Sequence, residues 1–335
     1  MRVLVLGGTA WLGGEVATEA VAAGHEVVCL ARGESGAVPP GAELVRGDRR
    51  TTEGYAGVTG EFDLLVDVAR DPLLVRTALD ALADRVRHWV FVSTINVYAD
   101  ASPAAMHAAE DAPLHDPWRG TDYTPEVYGA AKVACEQLLT GRLDGERVTI
   151  ARAGLIGGPG DHTGRTGYWP SRFAQPSRPD GAVLVPHDPD AQVQLIDVRD
   201  LAGWLLRCGT ERIAGVFNAT GPAVPLAAAI ATARRVAGHT GPTVGAEPGW
   251  LTEHRVEHWA GPRSLPLWLP WPQLAGMMTV DRSAAARARL TIRPLAETFA
   301  DVLAWERTTG PRRPPAAGLA PAEEAALITE LLRTR

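Results

Sequence analysis

Val3-Leu4-Val5-Leu6-Gly7-Gly8-Thr9-Ala10-Trp11-Leu12-Gly13-Gly14 is the stretch that decides the fold. Four apolar residues with the pattern of a buried strand run into a glycine-rich turn, and a helical stretch follows. A turn of this kind places backbone N–H groups at a helix N-terminus, where a pyrophosphate can sit. Its spacing is Gly7, Ala10, Gly13, with alanine where the middle glycine usually stands. Gly7, Thr9, Ala10, Trp11, Leu12 and Gly13 are therefore the candidate residues for the pyrophosphate of a dinucleotide.

Working outward, short apolar runs alternate with Ala/Leu-rich helical segments, the pattern of a parallel sheet covered by helices. Strands are expected at 2–6, 25–30, 43–46, 63–68, 88–93 and 148–153, and helices at 14–23, 73–85 and 125–140. The third helix has Thr124 as N-cap, Pro125 at its first position and Gly141 just past its end. Beyond residue 154 the chain turns to Gly, Pro, His and Arg until 191. A strand-helix unit at 193–206 and a strand at 215–220 follow, then a second irregular stretch at 241–277 rich in Trp and Pro. The expected architecture is α/β: a Rossmann-type doubly wound parallel sheet with a smaller, loop-rich substrate-binding lobe. Residues 1–154 plus 192–222 form the dinucleotide-binding domain, 155–191 plus 223–307 the lobe, and 308–335 a linker with a C-terminal helix.

The 335 residues are 46% apolar, enough for a substantial core, and the net charge is −6 with no block of basic residues. That balance argues against nucleic acid or an anionic membrane as partner and leaves a small-molecule substrate. Three cysteines, Cys29, Cys135 and Cys208, show no paired spacing and fit buried thiols of a reducing compartment. The N-terminus does not read as a signal peptide, and no apolar run reaches membrane-spanning length, so a cytoplasmic location is expected.

The second strand ends in Ala31-Arg32-Gly33, about 20 residues past the glycine turn, where an NAD-specific site carries a carboxylate for the ribose hydroxyl. Arg32 stands there instead and could pair with a 2′-phosphate, which favours NADP(H), with NAD(H) as the alternative. After the third strand, Gly47-Asp48-Arg49 is placed to meet the adenine. Asp48 is the preferred contact; Arg49, and Ala69 past the fourth strand, complete the cofactor set.

Lys132 is the only lysine in the chain, four residues after Tyr128. Every other long basic side chain is arginine, so this position departs from the chain's own habit. An ammonium is a compact point charge that a planar guanidinium does not replace. Residues four apart share a helical face, so Tyr128 and Lys132 can reach one ligand. Upstream, the fifth strand runs into Ser93-Thr94-Ile95-Asn96-Val97-Tyr98.

With these residues in view, the chain resembles the extended short-chain dehydrogenase/reductases, over about residues 1–220. The resemblance rests on the glycine turn, Gly47-Asp48, the Ser-Thr-x-x-Val-Tyr segment and Tyr-x-x-x-Lys, in that order. The later segments 152–161 and 196–200 look like an actinobacterial subgroup labelled epimerase/dehydratase-like or reductase. The resemblance implies a general acid/base role for Tyr128, and ribose binding for Tyr128 and Lys132. It implies a substrate-oxygen hydrogen bond from Thr94, with Ser93 structural. A free phenol has a pKa near 10, so a neighbouring cation is needed to stabilise phenolate at neutral pH. Where nucleotide-sugar members carry an asparagine after the sixth strand, this chain has Leu155. That departure and Arg32 rank NADP(H)-dependent reduction of a carbonyl or imine first. An epimerase or dehydratase acting on a sugar nucleotide or related substrate is the alternative.

Other signals are weaker. His254-x-x-Glu257-His258 matches a zinc-peptidase pattern, but a polar surface helix explains it better. His162 is expected in an exposed loop. Trp250, Trp259, Trp268 and Trp271, with Tyr168-Trp169, line a pocket for an apolar or aromatic substrate or else fill the lobe core or a dimer contact. The resemblance implies a homodimer through helices 73–85 and 125–140.

Overall fold

The computed structural model describes residues 1–309 and 316–334. Seven strands form one parallel sheet: β1 (Arg2–Leu6), β2 (Glu26–Ala31), β3 (Ala42–Arg46), β4 (Phe62–Asp67), β5 (Val86–Thr94), β6 (Val148–Ala153) and β10 (Gly215–Ala219), in the order β10-β6-β5-β4-β1-β2-β3. The order reverses between β1 and β4, and the reversal opens a crevice at the carboxyl ends of those strands. Strand side chains alternate, and here both faces are apolar because helices cover both. Val3, Val5, Cys29 and Val66 pack against α1 (Trp11–Ala22) and α5 (Val198–Glu211). Leu4, Leu6, Val28 and Leu65 pack against α2 (Pro72–Leu82) and α3 (Tyr128–Arg142). The doubly wound sheet expected from the sequence is present.

Two helix starts differ from expectation. Helix α1 begins at Trp11, inside the glycine turn, because the turn closes on itself through Ala10 N–H to Gly7 O at 3.0 Å. Pro125–Val127 form a 3₁₀ turn, so Tyr128 opens the α-helix; the Thr124 side chain caps nothing, and the helix runs through Gly141 to Arg142.

The lobe is more regular than its composition suggests. A three-stranded sheet joins β7 (Leu155–Gly157), β9 (Gln192–Asp197) and β11 (Ala223–Pro225), while β8 (Val183–Pro186) pairs with β12 (Thr243–Ala246). Around them lie α4 (Tyr168–Ala174), α6 (Leu226–Val236), α7 (Pro248–Glu253), α8 (Ser283–Arg287) and α9 (Leu295–Thr309). Short strands β13 (Glu257–Trp259), β14 (Gly261–Pro262) and β15 (Ser264–Pro266) complete it.

Of the linker expected at 308–321, residues 310–315 lie outside the described residues. Ala317–Gly318 (β16) pairs with β14, and α10 (Pro321–Arg333) buries Leu327, Ile328 and Leu331 in the lobe core. Glu324 of α10 is buried and pairs with Arg172 of α4 at 3.1 Å. The end of the chain is thus part of the lobe's packing rather than a tether. Among the described residues no helix is long and apolar enough to cross a membrane.

Candidate active site

The glycine turn is built for close backbone approach. Gly7 has φ +96°, and a Cβ on Gly13 would lie 2.3 Å from Gly7 O, so neither position admits a side chain. Ala10 has φ −85°, an extended conformation open to any residue, which explains why alanine replaces the middle glycine. Helix α1 has no side-chain N-cap and no acidic residue in its first turn. Its terminal N–H groups and positive dipole end therefore face the crevice, as an anion requires. These residues fit a dinucleotide pyrophosphate.

At the end of β2, Arg32 is exposed and pairs with Glu34 at 2.9 Å. A carboxylate therefore does stand at this end of the crevice, two residues beyond Arg32. Arg46, at the end of β3, donates to Arg32 O at 3.2 Å and adds a second guanidinium. Asp48 is exposed at the same edge and accepts from Arg50 N–H at 3.0 Å. Arg49 turns the other way: it is buried, donates to Asp67 Oδ1 at 2.9 Å and reaches the Tyr55 hydroxyl at 3.2 Å. Its guanidinium braces the ends of β3 and β4 instead of facing an adenine.

Lys132 is buried, and its Nζ donates to Ala69 O at 2.6 Å and to Val92 O. Those carbonyls lie just past β4 and near the end of β5, so the ammonium bridges the two strand ends that border the crevice. The Phe91 ring lies 4.5 Å away. An ammonium has three donors, and two are spent on the protein. One remains free for a ligand.

Tyr128 is half-buried one turn earlier on the same face of α3. Gly129 brings it close to β5: a Cβ there would lie 2.2 Å from Asn96 O, so only glycine lets the helix start touch the 3₁₀ turn at 95–97. Thr94, buried at the end of β5, accepts from Asn96 N–H at 3.2 Å. Ser93 points into a buried polar network and donates to Glu136 Oε1 at 2.5 Å. Glu136 also holds Arg152 through Nε at 3.1 Å and Nη2 at 2.8 Å, and Arg152 Nη1 reaches the Tyr98 hydroxyl at 3.2 Å. Tyr98 in turn donates to Asn218 Oδ1 at 2.6 Å. This network, which the sequence did not reveal, ties α3 to β5, β6 and β10 behind the crevice.

The comparisons with known proteins agree with this geometry. Residues 55–219 match the model of the NAD dependent epimerase/dehydratase family. The chain carries an NAD dependent epimerase/dehydratase domain. It is a nicotinamide-dependent enzyme. Among solved structures, UDP-N-acetylglucosamine 4-epimerase from Bacillus cereus superposes with TM-score 0.66 at 17% identity, covering 95% of this chain and 100% of that one. UDP-glucose 4-epimerase from Thermotoga maritima gives 0.66 at 16% identity, covering 92% and 99%. Bordetella bronchiseptica WbmH, in complex with NAD+, gives 0.65 at 17% identity, covering 91% and 98%. At these identities the likeness shows the fold. No curated protein sequence matches.

Across the crevice, the chain presents a loop that the sequence left undifferentiated. Asp161 is buried and accepts four hydrogen bonds, from the N–H and hydroxyl of Thr163 and from the N–H and hydroxyl of Thr166. The loop is docked on the glycine turn through Trp11 Nε1 to Pro159 O at 2.8 Å, and His162, exposed as expected, stands edge-on to Trp11 at 5.9 Å. Arg165 extends from it over the Trp259 ring at 4.8 Å. Burial lowers the Arg165 pKa from its ordinary value, while Asp161 and Tyr128 lie near enough to act in the opposite sense.

The remaining sequence signals separate cleanly. His254 ends α7, stacked on Trp250 at 3.8 Å, whereas His258 lies on β13 against Trp268 at 3.9 Å. The two histidines share no helical face, and the expected surface helix is a helix end followed by a strand. Trp169 and Trp268 are fully buried in the lobe core, with indole N–H groups on Pro266 O and Asp188 Oδ2, while half-buried Trp259 faces Arg165. Leu155 is likewise core. A cavity of about 590 Å³ lies between β9, α6 and α9, lined mainly by apolar side chains such as Val193, Leu195 and Phe299. None of Thr94, Tyr128 and Lys132 lines it.

Proposed function

We propose that the enzyme moves hydride between a nicotinamide and an oxygen-bearing carbon of a small substrate, with Tyr128 as general acid/base. We propose further that the reaction is of the epimerase or dehydratase type, on a sugar nucleotide or related substrate. The carrying observation is the buried Lys132 ammonium, held by two strand-end carbonyls one turn from Tyr128. A bound nicotinamide supplies the hydride acceptor and donor. In the oxidative half, Tyr128 as phenolate takes the hydroxyl proton while hydride leaves the carbon; in the reductive half it returns that proton to the oxygen. Lys132 stabilises the phenolate and orients the ribose with its third donor, and Thr94 holds the reacting oxygen. The lobe, 155–191 plus 223–307, would carry the rest of the substrate.

The family domain and its structural neighbours support this order of preference, which reverses the one drawn from sequence. Glu34 beside Arg32 supports it too, because the missing ribose carboxylate no longer argues for NADP. Net reduction of a carbonyl or imine with NADPH is the second reading, favoured by the paired guanidinium groups of Arg32 and Arg46 and by apolar Leu155. Acid release of dinucleotide from the purified protein separates the two. Tightly retained NAD supports the epimerase or dehydratase reading; protein that binds NADPH reversibly and in preference to NADH overturns it in favour of the reductase. Full activity in Tyr128→Phe would refute both.

A further inference from the structure

We propose that Arg165 is the receptor for an anionic group, a carboxylate or phosphate, on the substrate. This rests on the reaction site placed at Tyr128. Other well-buried or half-buried arginines have partners for the guanidinium: Arg49 holds Asp67, Arg152 Glu136, Arg172 Glu324, Arg199 Asp197 and Arg293 Asp200, while Arg85, Arg147, Arg234 and Arg282 donate through Nη2 to backbone carbonyls. Arg165 forms no ion pair among the described residues, although it is half-buried. Its Nε donates to Thr163 Oγ1 at 3.1 Å, and neither Nη1 nor Nη2 has a hydrogen-bond partner there. Asp161 on the same loop is already committed, since both its oxygens are taken by Thr163 and Thr166.

The side chain is also pre-set. The Asp161 bonds fix the loop, Thr163 holds Nε, and the Trp259 ring 4.8 Å away supports the flat face of the guanidinium. What remains is a planar fork of free N–H donors, the shape that accepts a carboxylate or phosphate through two parallel bonds. A neutral substrate would leave this desolvated cation unpaired, so the corner selects against it. The cofactor's pyrophosphate belongs to the glycine turn, whereas Arg165 lies over Trp259 of the lobe proposed to carry the substrate.

The test uses the full chain saturated with NAD+, with benzoate, phenyl phosphate and neutral benzamide as probes and calorimetry as readout. Both anions should bind the wild type. Arg165→Gln should weaken them roughly tenfold or more, the loss of one or two charge-assisted hydrogen bonds, and Arg165→Lys should recover part of it. Melting temperature, NAD+ affinity and benzamide binding should be unchanged. Anion binding retained in Arg165→Gln, no anion binding to the wild type, or a parallel loss of NAD+ affinity would each overturn the assignment, the last by giving the guanidinium to the cofactor. Because binding is read without turnover, failure here leaves the role of Tyr128 standing. Conversely, an inert Tyr128 would leave the anion site intact.

Discussion

Replacing Glu136 by glutamine should destabilise the protein by about 3 to 5 kcal/mol, the cost of leaving one member of a buried ion pair uncompensated. The estimate follows from the network behind α3. Glu136 accepts three hydrogen bonds, two of them from the Arg152 guanidinium at 2.8 and 3.1 Å, and both side chains are buried. Glutamine keeps one oxygen but sets an NH₂ against an Arg152 donor. Losing two charge-assisted bonds at about 1.5 to 3 kcal/mol each brackets the same range.

Such a loss is a large share of the roughly 5 to 15 kcal/mol that holds a protein folded. Urea unfolding with linear extrapolation measures it. The paired replacement Glu136→Leu with Arg152→Met should recover part of the stability, because no lone charge remains. Turnover should stay low in that pair, since Glu136 lies one turn beyond Lys132 and fixes how α3 faces the end of β5. A cost below about 1 kcal/mol in the single variant, or a paired variant worse than the single one, would refute the reasoning.

His88 predicts a pH dependence. Its Nε2 meets Thr149 Oγ1 at 2.8 Å, and that hydroxyl spends its proton on Ile213 O, so Nε2 donates and Nδ1 is left bare and buried. Burial lowers the His88 pKa from 6.5 to about 4, so the unfolded chain takes the proton first as pH falls. Stability is complete above about pH 6.5 and declines by up to about 3 kcal/mol toward pH 4. His88→Gln should flatten that part of the melting-temperature profile, and an unchanged slope would clear His88. Lys132→Arg should lose most turnover, because the longer fork overfills a pocket whose cation is fixed by Ala69 O and Val92 O. A near-normal hydride-transfer rate would reduce the solitary lysine to chance. In fluorescence titrations Arg32→Ala should weaken NADPH roughly tenfold and spare NADH. A wild type that prefers NADH, as the epimerase or dehydratase reading requires, would make Glu34 the ribose ligand.

The sheet was legible because helices cover both its faces, leaving β1, β2, β4 and β5 as nearly unbroken apolar runs. The lobe was not: α4 and β8 are too short, and α6 too alanine-rich, for periodicity to separate them from loop. Tyr128 and Lys132 could be read because helical spacing is local. Arg49 misled because sequence fixes where a residue sits on β3's exit but not whether its side chain turns toward the crevice or toward Asp67. Arg165 was hidden among many arginines. It stands out only when Asp161 is seen to be saturated and Trp259, far along the chain, arrives beneath it.

The solitary lysine also makes the protein a simple object for amine chemistry. The Nζ of Lys132 is the one side-chain primary amine in the sequence. In reductive methylation with ¹³C-formaldehyde it would be marked only when the ends of β4 and β5 part enough to release the ammonium. The rate at which its NMR signal appears is therefore a clock for the opening of the crevice, readable without any knowledge of the substrate.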